Sequence, residues 1–217
     1  MGKGFLNAGI SALALAGAIA CLAIAPAHAE MVQIDQNIPG ANQVGLKAGE
    51  NHSGEVGGHT TIAGASFTTP ASVVAYASGN LIANSATAGS VVPLSFTVCR
   101  VNAGTGMVRR ARIKTPDTGF AGVTVTLKLY RDSPTNTNGD HGAWLTTESN
   151  YLGSMPVTFD QHFSDAEKGI GAPAIGSEIN FDCAGGSQII YGEVVAGGAI
   201  TPQGAKLMSV TLETLVN

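Results

Sequence analysis

The sequence predicts an all-β protein, an antiparallel β-sandwich of jelly-roll or immunoglobulin-like type with a flexible N-terminal arm and one long loop excursion. Three observations predict it. The composition suits strands and tight turns: 29 of 217 residues are glycine and only 12% are charged, with Ser, Thr and Val plentiful and Lys and Glu scarce. Short apolar segments recur between Gly- and Pro-containing turns, and no long amphipathic helical period interrupts them. One segment, residues 122–131, alternates strictly. Val123, Val125, Leu127 and Leu129 share one face, and Thr124, Thr126, Lys128 and Tyr130 the other. A two-residue period marks a strand with one face in a core.

The elements follow in chain order. Residues 1–29 read as a secretory signal. Lys3 is the only charge before Glu30, an apolar run extends from Ala8 to Ile24, Pro26 breaks it, and Ala27-His28-Ala29 offers a cleavage site. Residues 30–58 carry little periodicity and read as the flexible arm, with one short strand at residues 32–34. Residues 59–217 read as the sandwich domain. Its strands are expected at residues 60–67, 71–76, 91–101, 107–114, 122–131, 177–181, 188–195 and 206–215. The glycine-rich turn at residues 102–106 suggests that 91–101 and 107–114 form a hairpin. Residues 132–176 have weak periodicity and form the excursion, with one short strand at 155–159 and an acidic stretch at 160–167. Such a loop is where a sandwich carries its distinctive surface.

Charge and cysteine count bound the function. The net charge is −4, and loss of Lys3 with the signal leaves the remainder more acidic. Duplex nucleic acid needs a basic surface, so that partner is not expected. Cys99 and Cys183 follow the signal. An even pair in an oxidising compartment invites a disulfide, and the alternative is two half-buried thiols.

Few constellations in the sequence have the residue types that chemistry needs. A Gly-x-Ser-x-Gly nucleophile motif is absent, and no catalytic residue is assigned. Asp132, Asn138, Asp140 and His141 lie close in one loop but lack the closing Glu of a calcium loop. His52, His59, His141 and His162 lack zinc spacing, so neither a metal nor a cofactor is expected. Asp160, Asp165 and Glu167 read as a solvated acidic face. Arg100, Arg110, Arg112 and Lys114 form a basic cluster, with Arg109 beside them. Arg110, Arg112 and Lys114 share one strand face, and Arg100 is expected on the neighbouring strand. The cluster reads as a solubilising sheet face, or as an anion contact, for an acidic patch on a partner subunit or for an acidic glycan. Trp144 and Tyr151, with Tyr130, are the aromatic platforms a glycan could stack on. Trp144 serves equally as a plug holding the loop to the sandwich.

The phrases at residues 75–84, 89–96, 129–135, 138–144, 175–181 and 190–192 (AYASGNLIAN, GSVVPLSF, LYRDSPT, NGDHGAW, IGSEINF and IYG) are similar to a family of small proteins encoded by tailed phages and prophages. The resemblance covers residues 62–217. It implies a non-enzymatic virion accessory or structural β-sandwich that self-associates or docks on a larger assembly, and it brings no catalytic residue with it. The export signal departs from that picture, because virion proteins assemble in the cytoplasm. A start at Met31 would give a virion protein without the signal. The alternative function is a secreted glycan- or cell-surface-binding module, in the periplasm or outside the cell and free of the membrane once the signal is removed.

Overall fold

The computed structural model describes residues 58–217, so the expected signal, the strand at 32–34 and all of the arm before Gly58 lie outside the described residues. The described residues form ten strands: β1 (His59–Thr68), β2 (Leu81–Ile82), β3 (Leu94–Thr97), β4 (Thr105–Thr115), β5 (Thr124–Tyr130), β6 (Tyr151–His162), β7 (Glu167–Gly171), β8 (Ile179–Asp182), β9 (Ile189–Ala196) and β10 (Leu207–Val216). The 3-10 turn Thr118–Phe120 is capped by Asp117, whose Oδ1 accepts from the Gly119 N–H.

The all-β antiparallel expectation holds, and the hydrogen bonding adds a detail. The strands join into one continuous sheet in the order β1-β10-β4-β7-β6-β5-β9-β2, with β3 on β9 and β8 on β4. The sheet curls, so that β1 comes against β3 near the far end of the path. One face is thereby folded onto itself, and it buries Phe96, Ile113, Phe120, Leu127, Leu129, Met155, Phe159, Ile190 and Leu212. Long sheets curl because each strand is rotated relative to its neighbour.

Cys99, after β3, bonds to Cys183, after β8, with Cα atoms 6.5 Å apart. That bond ties the β9 side of the sheet to the β4 side.

The excursion is shorter than expected. Residues 151–171 are mostly two paired strands, β6 and β7. In β7 the inward positions are Glu167, Gly169 and Gly171, so its sequence EKGIG shows no apolar alternation. A Cβ on Gly171 would stand 2.2 Å from the Pro156 carbonyl oxygen, so close strand approach requires glycine there. Within the acidic stretch, Asp160 and Asp165 are exposed as expected, but Glu167 is buried and bonded by His162 Nδ1.

Other expectations are corrected as well. Residues 71–76 do not form a strand; only Tyr76 bridges, to Ile200. Of residues 91–101, only Leu94–Thr97 is strand, because the N–H groups of both Val98 and Cys99 turn to the Gln188 carbonyl. β3 pairs with β9, and β4 with β10, β7 and β8, so the expected hairpin does not exist. Arg100 lies in a bend outside any strand, where its carbonyl accepts from Gln188 Nε2. It therefore does not neighbour the β4 cations through a strand ladder.

A bulge sets the face of the arginines. Glu213 pairs with Arg110 and Thr214 with Val108, leaving Arg109 as the extra residue. Inward parity thus passes from Val108 to Ala111 and Ile113, and Arg109 and Arg110 are both exposed. Arg110 Nε and Arg112 Nη2 donate to Glu213 Oε2 at 2.6 and 2.9 Å. The Arg110 hydrogen bond, aided by the arginine charges, holds the Glu213 carboxyl below the usual carboxylate range. A depressed pKa stabilises the fold at neutral pH, and that contribution is lost as the pH falls through the folded value. Glu213→Gln is therefore expected to flatten the acid limb of the melting-temperature profile and leave its alkaline limb unchanged. Calorimetric scans from neutral to acid pH check this.

Candidate binding cleft

The cleft is built on the outer face of β5 and β9. Lys128 and Glu193 stand directly opposite each other across this pair. Opposite charges at such positions attract. Glu193 is also buried, at 3% exposure, and burial of a carboxylate demands hydrogen-bond donors. The excursion supplies them. Asn136 Nδ2 donates to Oε1 at 2.5 Å, and Trp144 Nε1 donates to Oε2 at 2.8 Å. From β5, the Tyr130 hydroxyl donates to Oε2 at 3.1 Å. Burial first, then the Glu193 charge, pushes the Tyr130 hydroxyl well above its ordinary pKa, so it stays a donor. Residues 131–150 are therefore an irregular hairpin clamped over a buried carboxylate. Its arms are joined by the Asn136–Thr146 bridge and by bonds from the Thr137 and Thr147 N–H groups to the Leu145 and Thr135 carbonyls.

The tip of the hairpin is pinned separately. The Gly142 carbonyl accepts from the Leu81 N–H, and the Trp144 N–H donates to the Gly79 carbonyl. Asp140 is buried and accepts from the Ala83 N–H at 2.8 Å and the Tyr76 hydroxyl at 2.9 Å. His141 stacks on Tyr76 with ring centroids 3.9 Å apart. Burial pushes the Asp140 carboxyl up, against the pull of those bonds and of His141. Asp140 and His141 thus act inside the fold, while Asp132 accepts from Asn150 Nδ2 at the hairpin stem. A Cβ on Gly139 would sit 2.2 Å from the Ala86 carbonyl oxygen, so the tip's approach to residues 85–86 also needs glycine.

A second bulge places Tyr151. On β6, Ser154 pairs with Lys128 and faces outward, while Met155 and Val157 face the core. Regular alternation would put Leu152 outward and Tyr151 inward. The ladder instead pairs Leu129 with Gly153 and Tyr130 with Tyr151, skipping Leu152. Gly153 takes φ +145° to allow it. Leu152 packs against the core, and Tyr151 turns out beside Tyr130, with ring centroids 5.5 Å apart.

Trp144, Tyr151 and Lys128 thereby meet. Lys128 Nζ lies 3.9 Å from the Trp144 ring centroid and 5.7 Å from that of Tyr151, within cation–π range. Burial between them lowers the Lys128 pKa, with the Glu193 charge opposing. Around these groups opens a cleft of about 340 Å³, lined also by Thr146, Thr147 and Glu148. No family model, curated protein or solved structure matches the chain.

The expected aromatic platforms are thus gathered at one place. The sequence reading missed Glu193 and Lys128. Both sit in strand text, and the signal for Glu193 was a lone charge inside the apolar run of β9.

Proposed function

We propose that this chain is a non-enzymatic, exported binding module that holds carbohydrate in the Trp144–Tyr151 cleft. The observation that carries the reading is the gathering of two aromatic rings and an ammonium group around one open hollow of about 340 Å³. That volume falls in the small-ligand range. Aromatic rings take the C–H faces of sugars, and Lys128, Thr146, Thr147 and Glu148 offer donors and acceptors to hydroxyl groups. The Glu193 clamp fixes Trp144 before a ligand arrives, which limits the ordering cost of binding. The Cys99–Cys183 bond suits an oxidising compartment and supports the export reading of residues 1–29.

The test is a glycan array probed with the mature chain and with Tyr151→Ala. Tyr151 is the better probe because its ring makes no bond to Glu193, so the clamp survives its loss. Wild type is expected to bind a defined set of glycans, and the variant to bind them about ten-fold more weakly or worse, as befits an aromatic anchor. A blank array removes the reading.

A second reading is self-association in a virion or surface assembly, and β1 favours it. This strand runs for 10 residues and, among the described residues, pairs only with β10. It holds no Lys, Arg, Asp, Glu or Pro, and Ile62 at its middle is 63% exposed. Edges are commonly blunted by such residues, and an unblunted edge accepts another strand. Sedimentation is expected to show concentration-dependent oligomers that Ile62→Lys disperses. A wild-type monomer at all concentrations sinks this reading.

A further inference from the structure

The outer face of β4 and β7 carries a row of cations that the cleft does not use. Arg110, Arg112 and Lys114 point outward along β4, and the bulge adds Arg109 to the same side. Lys168 of β7 stands directly opposite Lys114. Directly opposed like charges across strands are unfavourable, so this pair works against the fold. Counter-charge from the described residues is sparse here. Glu213 is shared between Arg110 and Arg112, and Asp165 reaches Lys114 only at 4.0 Å, with both side chains more than half exposed. The row is therefore strongly positive on a chain whose formal net charge is −4.

Its shape selects among anions. Outward residues two apart on a strand are separated by roughly 7 Å, so Arg110 to Lys114 spans roughly 14 Å. A hollow of about 430 Å³, lined by Arg109, Arg110, Ile170, Gly171, Ala172 and Glu213, opens at the Arg109 end. Guanidinium forks match tetrahedral oxyanions. The ladder positions of β1, β10, β4 and β7 that share this face hold no aromatic residue, so bases find nothing to stack on.

We propose that this face binds a linear sulfated polysaccharide, laid along β4 with its oxyanions on Arg109, Arg112, Lys114 and Lys168. The site is separate from the aromatic cleft and does not depend on it.

The test is titration of the full chain with heparin oligosaccharide, with fully desulfated heparin and a single-stranded oligonucleotide as comparisons. The variant is Arg109→Gln/Lys114→Gln/Lys168→Gln, which leaves the Glu213 bonds in place. Heparin is expected to bind, and desulfated heparin not to. The variant should lose about ten-fold or more in affinity, and the slope of log affinity against log salt should fall by about two. Its melting temperature should hold or rise, because the Lys114–Lys168 repulsion is gone. Absent heparin binding, equal binding of the desulfated polymer, or an unchanged variant would each overturn the proposal. So would tighter binding of the oligonucleotide, or a variant that loses stability together with affinity.

Discussion

Glu193→Ala is expected to destabilise the domain by about 3–5 kcal/mol, because several buried donors lose their acceptor together, at about 1–3 kcal/mol each. The Tyr130 hydroxyl, Asn136 Nδ2 and Trp144 Nε1 all point at this one carboxylate. Lys128 also loses the charge directly across from it. The damage should concentrate in residues 131–150, which owe their seat on the outer face of β5 and β9 to these bonds. Urea unfolding gives the magnitude. A red shift of Trp144 emission in the folded variant shows the loosened clamp, and this residue is the single tryptophan. Glu193→Gln keeps the volume but turns an amide N–H₂ toward donors, so it should fall between wild type and alanine. A change below about 0.5 kcal/mol in the alanine variant, the level of an ordinary surface substitution, would show that the carboxylate does not hold the hairpin.

Loss of the disulfide is expected to be of similar size by a different route. Cys99 and Cys183 are 84 residues apart in sequence. Opening a loop of that length returns to the unfolded chain about 4–5 kcal/mol of entropy that the bond removes. For a domain of this size the melting temperature should drop by roughly 10 °C or more. The Cys99→Ser/Cys183→Ser variant and the reduced wild type should agree, since the effect lies in the unfolded state. A drop of only a degree or two in calorimetry would mean that these cysteines are not joined in the folded protein.

Much of the sheet was legible because its physics is local. The alternation of β5 and β10 reads straight from Val125, Leu127 and Leu129, and from Met208, Val210 and Leu212. The pairing partners were not legible. The turn before β4 is glycine-rich like a hairpin turn, yet β3 goes to β9, a choice made by distant residues. β7 was hidden because its inward positions hold two glycines, where packing is close, and the buried Glu167, none of them an apolar signal. In the cleft, Trp144 and Tyr151 stood out by residue type. Their meeting depends on the skipped Leu152 and on Gly153, which shift the face of β6 in a way no simple period reveals. Glu193 stayed hidden because a strand's outer face is ordinarily wet, and only the folded hairpin makes this position dry.

The most direct test of a carbohydrate site in the Trp144–Tyr151 cleft is the intrinsic fluorescence of Trp144 during titration with glycans that the array selects. A single tryptophan at the cleft makes the signal site-specific. The predicted result is a saturable change in emission, with the midpoint moved about ten-fold to weaker binding in Tyr151→Ala. Emission that stays constant while the glycan binds, or a Tyr151→Ala curve that overlays the wild type, would contradict a carbohydrate site in this cleft.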